Sequence, residues 1–118
     1  MSVLAGLRVL VVEDEPVVAM CLEDMLDELG CVTVGPASRL SEGLSLAEGA
    51  LDAAILDINL AGERSNAIAE RLHARGIPFA FASGYGVAPE GYRAPMIEKP
   101  YRTNDIGAVL AALMEESR

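Results

Sequence analysis

Apolar residues along the chain fall into short unbroken runs that alternate with stretches of helical spacing. Leu7-Arg8-Val9-Leu10-Val11-Val12, Cys31-Val32-Thr33-Val34, Pro78-Phe79-Ala80-Phe81-Ala82 and Ala94-Pro95-Met96-Ile97 read as strands, with Ala53-Ala54-Ile55-Leu56-Asp57-Ile58-Asn59 as the central one. Continuous runs of this kind are what strands buried on both faces look like. Between them, Val18, Cys21, Leu22, Met25 and Leu29 recur at helical spacing from Pro16 to a stop at Gly30. Ser38 is expected to cap a short helix with Leu40, Leu44 and Ala47 inward, and Ile68 and Leu72 mark a helix ending at Gly76. Thr103 is expected to cap a last helix that turns Ile106, Val109, Leu110 and Leu113 inward. Gly35-Pro36 breaks the second strand, and Pro95 puts the short fifth strand at an edge. The segment from Val87 to Arg93 holds Pro89 and Gly91 and no helical period, so the helix due there is reduced to a turn or an irregular one.

Strands alternating with helices predict an α/β fold, a doubly wound parallel sheet of five strands in one domain over 1–118, without internal repeat or linker. In such a sheet every crossover is right-handed, so all strand carboxyl ends share one edge. Glu13, Asp14, Asp57, Ser83 and Lys99 each follow a strand directly and belong to that edge. Each has an ordinary reading alone: helix cap, loop acid, turn residue or surface charge. Their joint arrival at one edge favours chemistry.

Composition narrows that chemistry. The 118 residues are 52% hydrophobic, enough for one core, with 18 acidic against 9 basic residues and a net charge of −9. Nucleic acid is disfavoured as a partner, because neutralising phosphates needs clustered cations. No run approaches membrane-spanning length and the start lacks a signal pattern, so a cytoplasmic protein is expected. Cys21 and Cys31 are expected as buried free thiols, and the single His73 as a solvated helix residue without zinc.

Like charges about 4 Å apart repel by roughly 4 kcal/mol at an effective dielectric of 20, so Glu13, Asp14 and Asp57 need compensation if gathered. A hard divalent cation and Lys99 can supply it, and Mg²⁺ suits one or two carboxylates completed by water and phosphate oxygens. A carboxylate with a metal, an ammonium and a hydroxyl converging on it can attack phosphorus.

The motifs Val11-Val12-Glu13-Asp14-Glu15, Ile55-Leu56-Asp57-Ile58-Asn59-Leu60, Ala82-Ser83-Gly84 and Glu98-Lys99-Pro100-Tyr101 together resemble the receiver domain of two-component response regulators over the full length. The resemblance implies a flavodoxin-like sheet of order 2-1-3-4-5 and a phosphoprotein whose acceptor, Asp57, takes its phosphoryl group from a sensor histidine kinase or phosphotransfer protein. It implies Mg²⁺ on Asp14, Asp57 and the backbone carbonyl of Asn59, with Glu13 acting through water. It further implies phosphoryl contacts from Ser83, Gly84 and Lys99, and a cis peptide between Lys99 and Pro100. Phe81-Ala82-Ser83-Gly84-Tyr85-Gly86 resembles the signature of the FAT GUY receiver subgroup, often single-domain regulators. Met96 stands where an aromatic switch residue is common, so Tyr85 and Met96 are the candidate reporters of phosphorylation. With no effector domain expected, output is to a downstream protein or to none, as in a phosphate sink or shuttle. The last helix, with Asp105, Ala108 and Ala112 outward, is either a plain solvated face or a surface that docks another helix, and a homodimer is left open.

The competing enzyme class is an aspartate-nucleophile phosphohydrolase of the haloacid dehalogenase type. It wants a second Asp where this chain has Asn59. A dinucleotide-binding module is disfavoured because the turn after the first strand, Glu13-Asp14-Glu15-Pro16, is acidic rather than glycine-rich.

Overall fold

The computed structural model describes residues 4–60, 63–83, 94–98 and 101–116. In chain order the strands are β1 (Arg8–Val12), β2 (Val32–Ala37), β3 (Ala53–Asp57), β4 (Asn59–Leu60), β5 (Glu63–Arg64), β6 (Phe79–Ser83) and β7 (Met96–Glu98). The described helices are α1 (Pro16–Glu28), α2 (Leu40–Leu46), α3 (Asn66–Ala74) and α4 (Thr103–Glu116). Five strands form one parallel sheet in the order β2-β1-β3-β6-β7, which is 2-1-3-4-5 counted along that sheet. β7 lies at an edge, as Pro95 suggested.

Alternation along the central strands explains why their sequences show no polar face. Val9, Val11 and Ile55 enter a cluster with Leu22, Leu26, Ile106, Leu110 and Leu113 from α1 and α4. Leu10, Val12 and Leu56 point the other way, to Ile68 and Leu72 of α3. On that second face Phe79 and Phe81 meet edge to face, with ring centroids 5.5 Å apart.

The chain departs from the expected elements at several places. β2 does not stop at Gly35-Pro36 but runs on to Ala37 through a bulge, the register passing from Leu10 opposite Val34 to Val12 opposite Ala37. Gly35 sits at φ 100°, and the Gly35–Pro36 peptide is cis. The extra residue re-aims the strand end. Ala37 thereby accepts a 2.9 Å hydrogen bond from the backbone N–H of Glu13.

Ser38 is not the cap of α2. Arg39 holds that position, while the Ser38 N–H donates to Glu42 Oε1 at 2.9 Å. Thr103 is already helical, and its hydroxyl donates to Glu28 Oε2 at 3.2 Å, tying α4 to the end of α1. α1 is rotated from the expected stripe: Ala19, Leu22 and Leu26 are buried, whereas Cys21 is exposed. Cys31 is buried as a free thiol, and burial pushes its pKa up. The antiparallel pair β4–β5 was not foreseen. The segment 87–93, expected to hold the reduced helix, and the Lys99–Pro100 peptide lie outside the described residues.

The bulge gives a direct test. A Cβ on Gly35 would come within 2.8 Å of the Ala37 nitrogen and 3.0 Å of the Val11 oxygen, both backbone atoms, at a φ that L side chains avoid. Gly35→Ala is therefore expected to destabilise the domain by roughly 1 to 3 kcal/mol, read as a lower urea midpoint with unchanged slope. A midpoint equal to that of the parent protein would show that the bulge has no such requirement.

Candidate functional site

The chain reverses its direction of growth across the sheet between β1 and β3: β2 is added on one side of β1, and β3, β6 and β7 on the other. Crevices outside the carboxyl ends of strands at such a switch point are where ligands bind in open α/β sheets. Glu13 and Asp14 follow β1, and Asp57 ends β3. Because Val12 pairs with Leu56, Glu13 and Asp57 arrive level with each other on adjacent strands. Neighbouring strands lie only about 4.8 Å apart. Carboxylate oxygens of Glu13, Asp14 and Asp57 all come within 4.8 Å of one another.

Burial sharpens the arrangement. Glu13 is 2% exposed and Asp57 7%, so water screens neither well, while Asp14 is half-buried. Glu13 is fixed at both ends, its N–H bonded to Ala37 O and its Oε1 accepting the Glu15 N–H at 3.3 Å. Pro16 then opens α1, so Glu13 and Asp14 stand just before a helix N-terminus, whose dipole favours negative charge. On the other side, Ser65, just after β5, ties back to the residue that follows β3: its N–H and hydroxyl both donate to the Ile58 carbonyl, at 3.0 and 3.3 Å. Hard carboxylate oxygens, few and clustered beside open edge, fit a small divalent cation such as Mg²⁺, which completes its shell with water.

Ser83 ends β6 with its backbone one step beyond Ala82, the partner of Asp57, and opposite Glu98 of β7. Asn59 lies in β4 opposite Arg64. Met96 pairs with Phe81 and is half-buried against the α2/α3 side of the core. Lys99, Gly84 and Tyr85 lie outside the described residues. Tyr101 ends the Glu98-Lys99-Pro100-Tyr101 motif, which implies no role for it. It is buried, and its pKa is pushed far up, first by burial and then by the charges of Glu13, Asp57 and Glu15. Its place two residues after a strand-end lysine was the available signal.

No family model matches the chain. Among curated proteins it is similar to the phyllosphere-induced regulator PhyR of Methylorubrum extorquens, 30% identical over 88% of this chain and 42% of the relative. Among solved structures it is similar to SdrG of Sphingomonas melonis, at 39% identity and a TM-score of 0.81, covering 97% of this chain and 99% of that one. It is also similar to the response regulator PhyR of Brucella abortus, at 28% identity and a TM-score of 0.82, covering 95% and 49%. The receiver domain of a sensor histidine kinase from Pseudomonas aeruginosa, which holds a magnesium ion in its active site cleft, shares the fold at 20% identity, with a TM-score of 0.83 over 94% and 99% of the two chains. The chain belongs to the receiver domains of response regulators, the phosphoacceptor modules of two-component systems. It spans less than half the length of the two PhyR proteins.

Crowding of acids has a measurable consequence. At the 4.8 Å limit each carboxylate pair repels by about 3 kcal/mol at an effective dielectric of 20. Asp57→Asn is expected to raise the thermal midpoint of the protein in EDTA and low salt, a gain of about 1 kcal/mol giving ~4 °C in a domain of this size. A lowered midpoint would mean that Asp57 is a net stabiliser and that the trio carries no stored repulsion.

Proposed function

We propose that Asp57 takes a phosphoryl group from the phosphohistidine of a sensor histidine kinase or phosphotransfer protein, and that the modified domain signals to a partner protein. The single observation that carries this reading is the convergence of Glu13, Asp14 and Asp57 oxygens within 4.8 Å at the switch point of a receiver fold. Asp57 is the nucleophile of choice because it alone of the three ends the central strand, with its backbone paired to Ala82 of β6. One of its oxygens forms the new bond to phosphorus as the donor's P–N bond breaks, and the electron pair leaves with the imidazole nitrogen.

Asp14, Asp57 and the Asn59 carbonyl would hold Mg²⁺, with Glu13 reaching it through water. The ion, when bound, neutralises charge on the transferring oxygens and lets an anionic nucleophile approach an anionic group. Ser83 ends β6 and Lys99 follows β7 in the sequence, and these two with Gly84 would bind phosphoryl oxygens. Phosphorylation adds about 1.5 to 2 negative charges at the edge, which would draw the Ser83 hydroxyl and with it the residues up to Tyr85. Met96 has no ring to rotate inward, so Tyr85 is the reporter of phosphorylation in this reading. Catalysis is confined to the domain's own phosphorylation and dephosphorylation, in the cytoplasm. Among the described residues no helix is long and apolar enough to cross a membrane.

Incubation with acetyl phosphate and Mg²⁺ is expected to add the mass of one phosphoryl group, labile at alkaline pH. The adduct should be absent in EDTA and in Asp57→Asn. An adduct that survives in Asp57→Asn, or steady turnover of phosphomonoesters without any adduct, would reject the reading.

A further inference from the structure

The five-stranded sheet begins at β2, which pairs with β1 on one side and, among the described residues, with no strand on the other. The Val32 N–H donates to Leu7 O at 2.7 Å, and in a parallel ladder residues that bond the neighbouring strand alternate with residues that do not. The backbone N–H and C=O of Thr33 therefore point off the sheet edge. Natural sheets blunt such an edge with lysine, proline or a bulge. Here the bulge and Pro36 lie at the carboxyl end of β2, and residues 32–34 are left open, with Val32 44% exposed.

The two faces beside this edge differ in chemistry. Thr33 is level with Val9, which packs with α1 and α4, while Val34 is level with Leu10, which packs towards α3. On the α1 side, Cys31 and Thr33 share a groove with Glu23, Asp24 and Asp27. None of these three acids forms a salt bridge among the described residues. α1 carries no lysine or arginine, and Asp27 stands in its last turn, where the helix dipole disfavours an acid. Helix stability therefore gives no reason for the charge. The opposite face of the same edge offers apolar Val32 and Val34.

We propose that the open edge of β2 docks an extended segment of a partner protein, added as a further strand, in which lysine or arginine alternates with apolar residues. Main-chain hydrogen bonds to the Thr33 N–H and C=O supply the pairing, and the alternation of side chains supplies the specificity. The residue opposite Thr33 points into the groove and meets Glu23, Asp24 and Asp27. Its two neighbours point to the other face and cover Val32 and Val34. A second copy of this chain is a poor occupant, because joining two β2 edges about a two-fold axis brings the acids of one α1 against those of the other. The net charge of −9 draws a basic segment from further away. None of these residues belongs to the acid trio, so the surface does not depend on the reading of that site.

The probe is a capped peptide of alternating lysine and valine, titrated into isotope-labelled protein and followed by amide NMR. Saturable shifts are expected at Val32, Thr33, Glu23, Asp24 and Asp27, with slowed exchange of the Thr33 amide proton. Two control peptides keep the charge and lose the strand: one with its lysines and valines in separate blocks, one with every amide N-methylated. Each control, and the variant carrying Glu23→Lys with Asp27→Lys, is expected to bind about tenfold more weakly than the parent pair. The variant should keep a thermal midpoint equal to or above that of the parent, since its new cations suit the end of α1. Absence of saturable shifts, or shifts centred elsewhere, overturns the proposal. Equal binding of either control overturns it too, because attraction of charge alone would then suffice. So does unchanged affinity in the variant, or a dimer formed through β2 without peptide.

Discussion

Repulsion between carboxylates on neighbouring strand ends is the constraint around which this domain is built. Glu13 and Asp57 sit level on adjacent strands and nearly out of water, with Asp14 beside them. An unfolded chain would keep Asp57 far from Glu13 and Asp14 and leave all three solvated, so the fold must supply the difference. It does so with apolar strands buried on both faces, whose side chains alternate between two helix layers. The result is a rigid floor that carries charges it would not gather by itself, which is the condition of a site made to accept a cation or a phosphoryl group.

Local devices hold the charges in place. The Gly35 bulge brings Ala37 to the Glu13 N–H, and the Glu15 N–H caps the Glu13 carboxylate. Ser65 turns the chain after Asp57 back onto the Ile58 carbonyl. None of these contacts is apolar, and each fixes a backbone segment that carries or adjoins an acid. Other polar contacts serve the scaffold instead. Arg75 donates to the Gly49 carbonyl at 2.8 Å and, also, to that of Ala47, closing the end of α2 with a cation from α3.

The chain order of strands and the edge that Glu13, Asp14 and Asp57 share were legible because continuous apolar runs and right-handed crossovers leave little choice of topology. The face on which Cys21 lies was not. A helical stripe read by spacing alone can be rotated by one residue, and here Ala19 and Leu26 take the inner positions while Cys21 faces out. Gly35-Pro36 read as a strand end because both residues usually stop pairing, whereas in a bulge they permit it. The β4–β5 hairpin is too short to show alternation. The position of Tyr101 was visible in the sequence, but its burial was not, since that depends on packing against residues distant in the chain.

Whether the trio binds an ion through Asp57 can be read in one diffraction measurement. Crystals soaked in Mn²⁺, an oxygen-seeking stand-in for Mg²⁺, should give a single strong anomalous peak at bonding distance from Asp14 and Asp57, with Glu13 one water further out. An anomalous map with no peak there, or with the metal bound away from Asp57, would contradict the claim that these carboxylates are gathered to hold a cation.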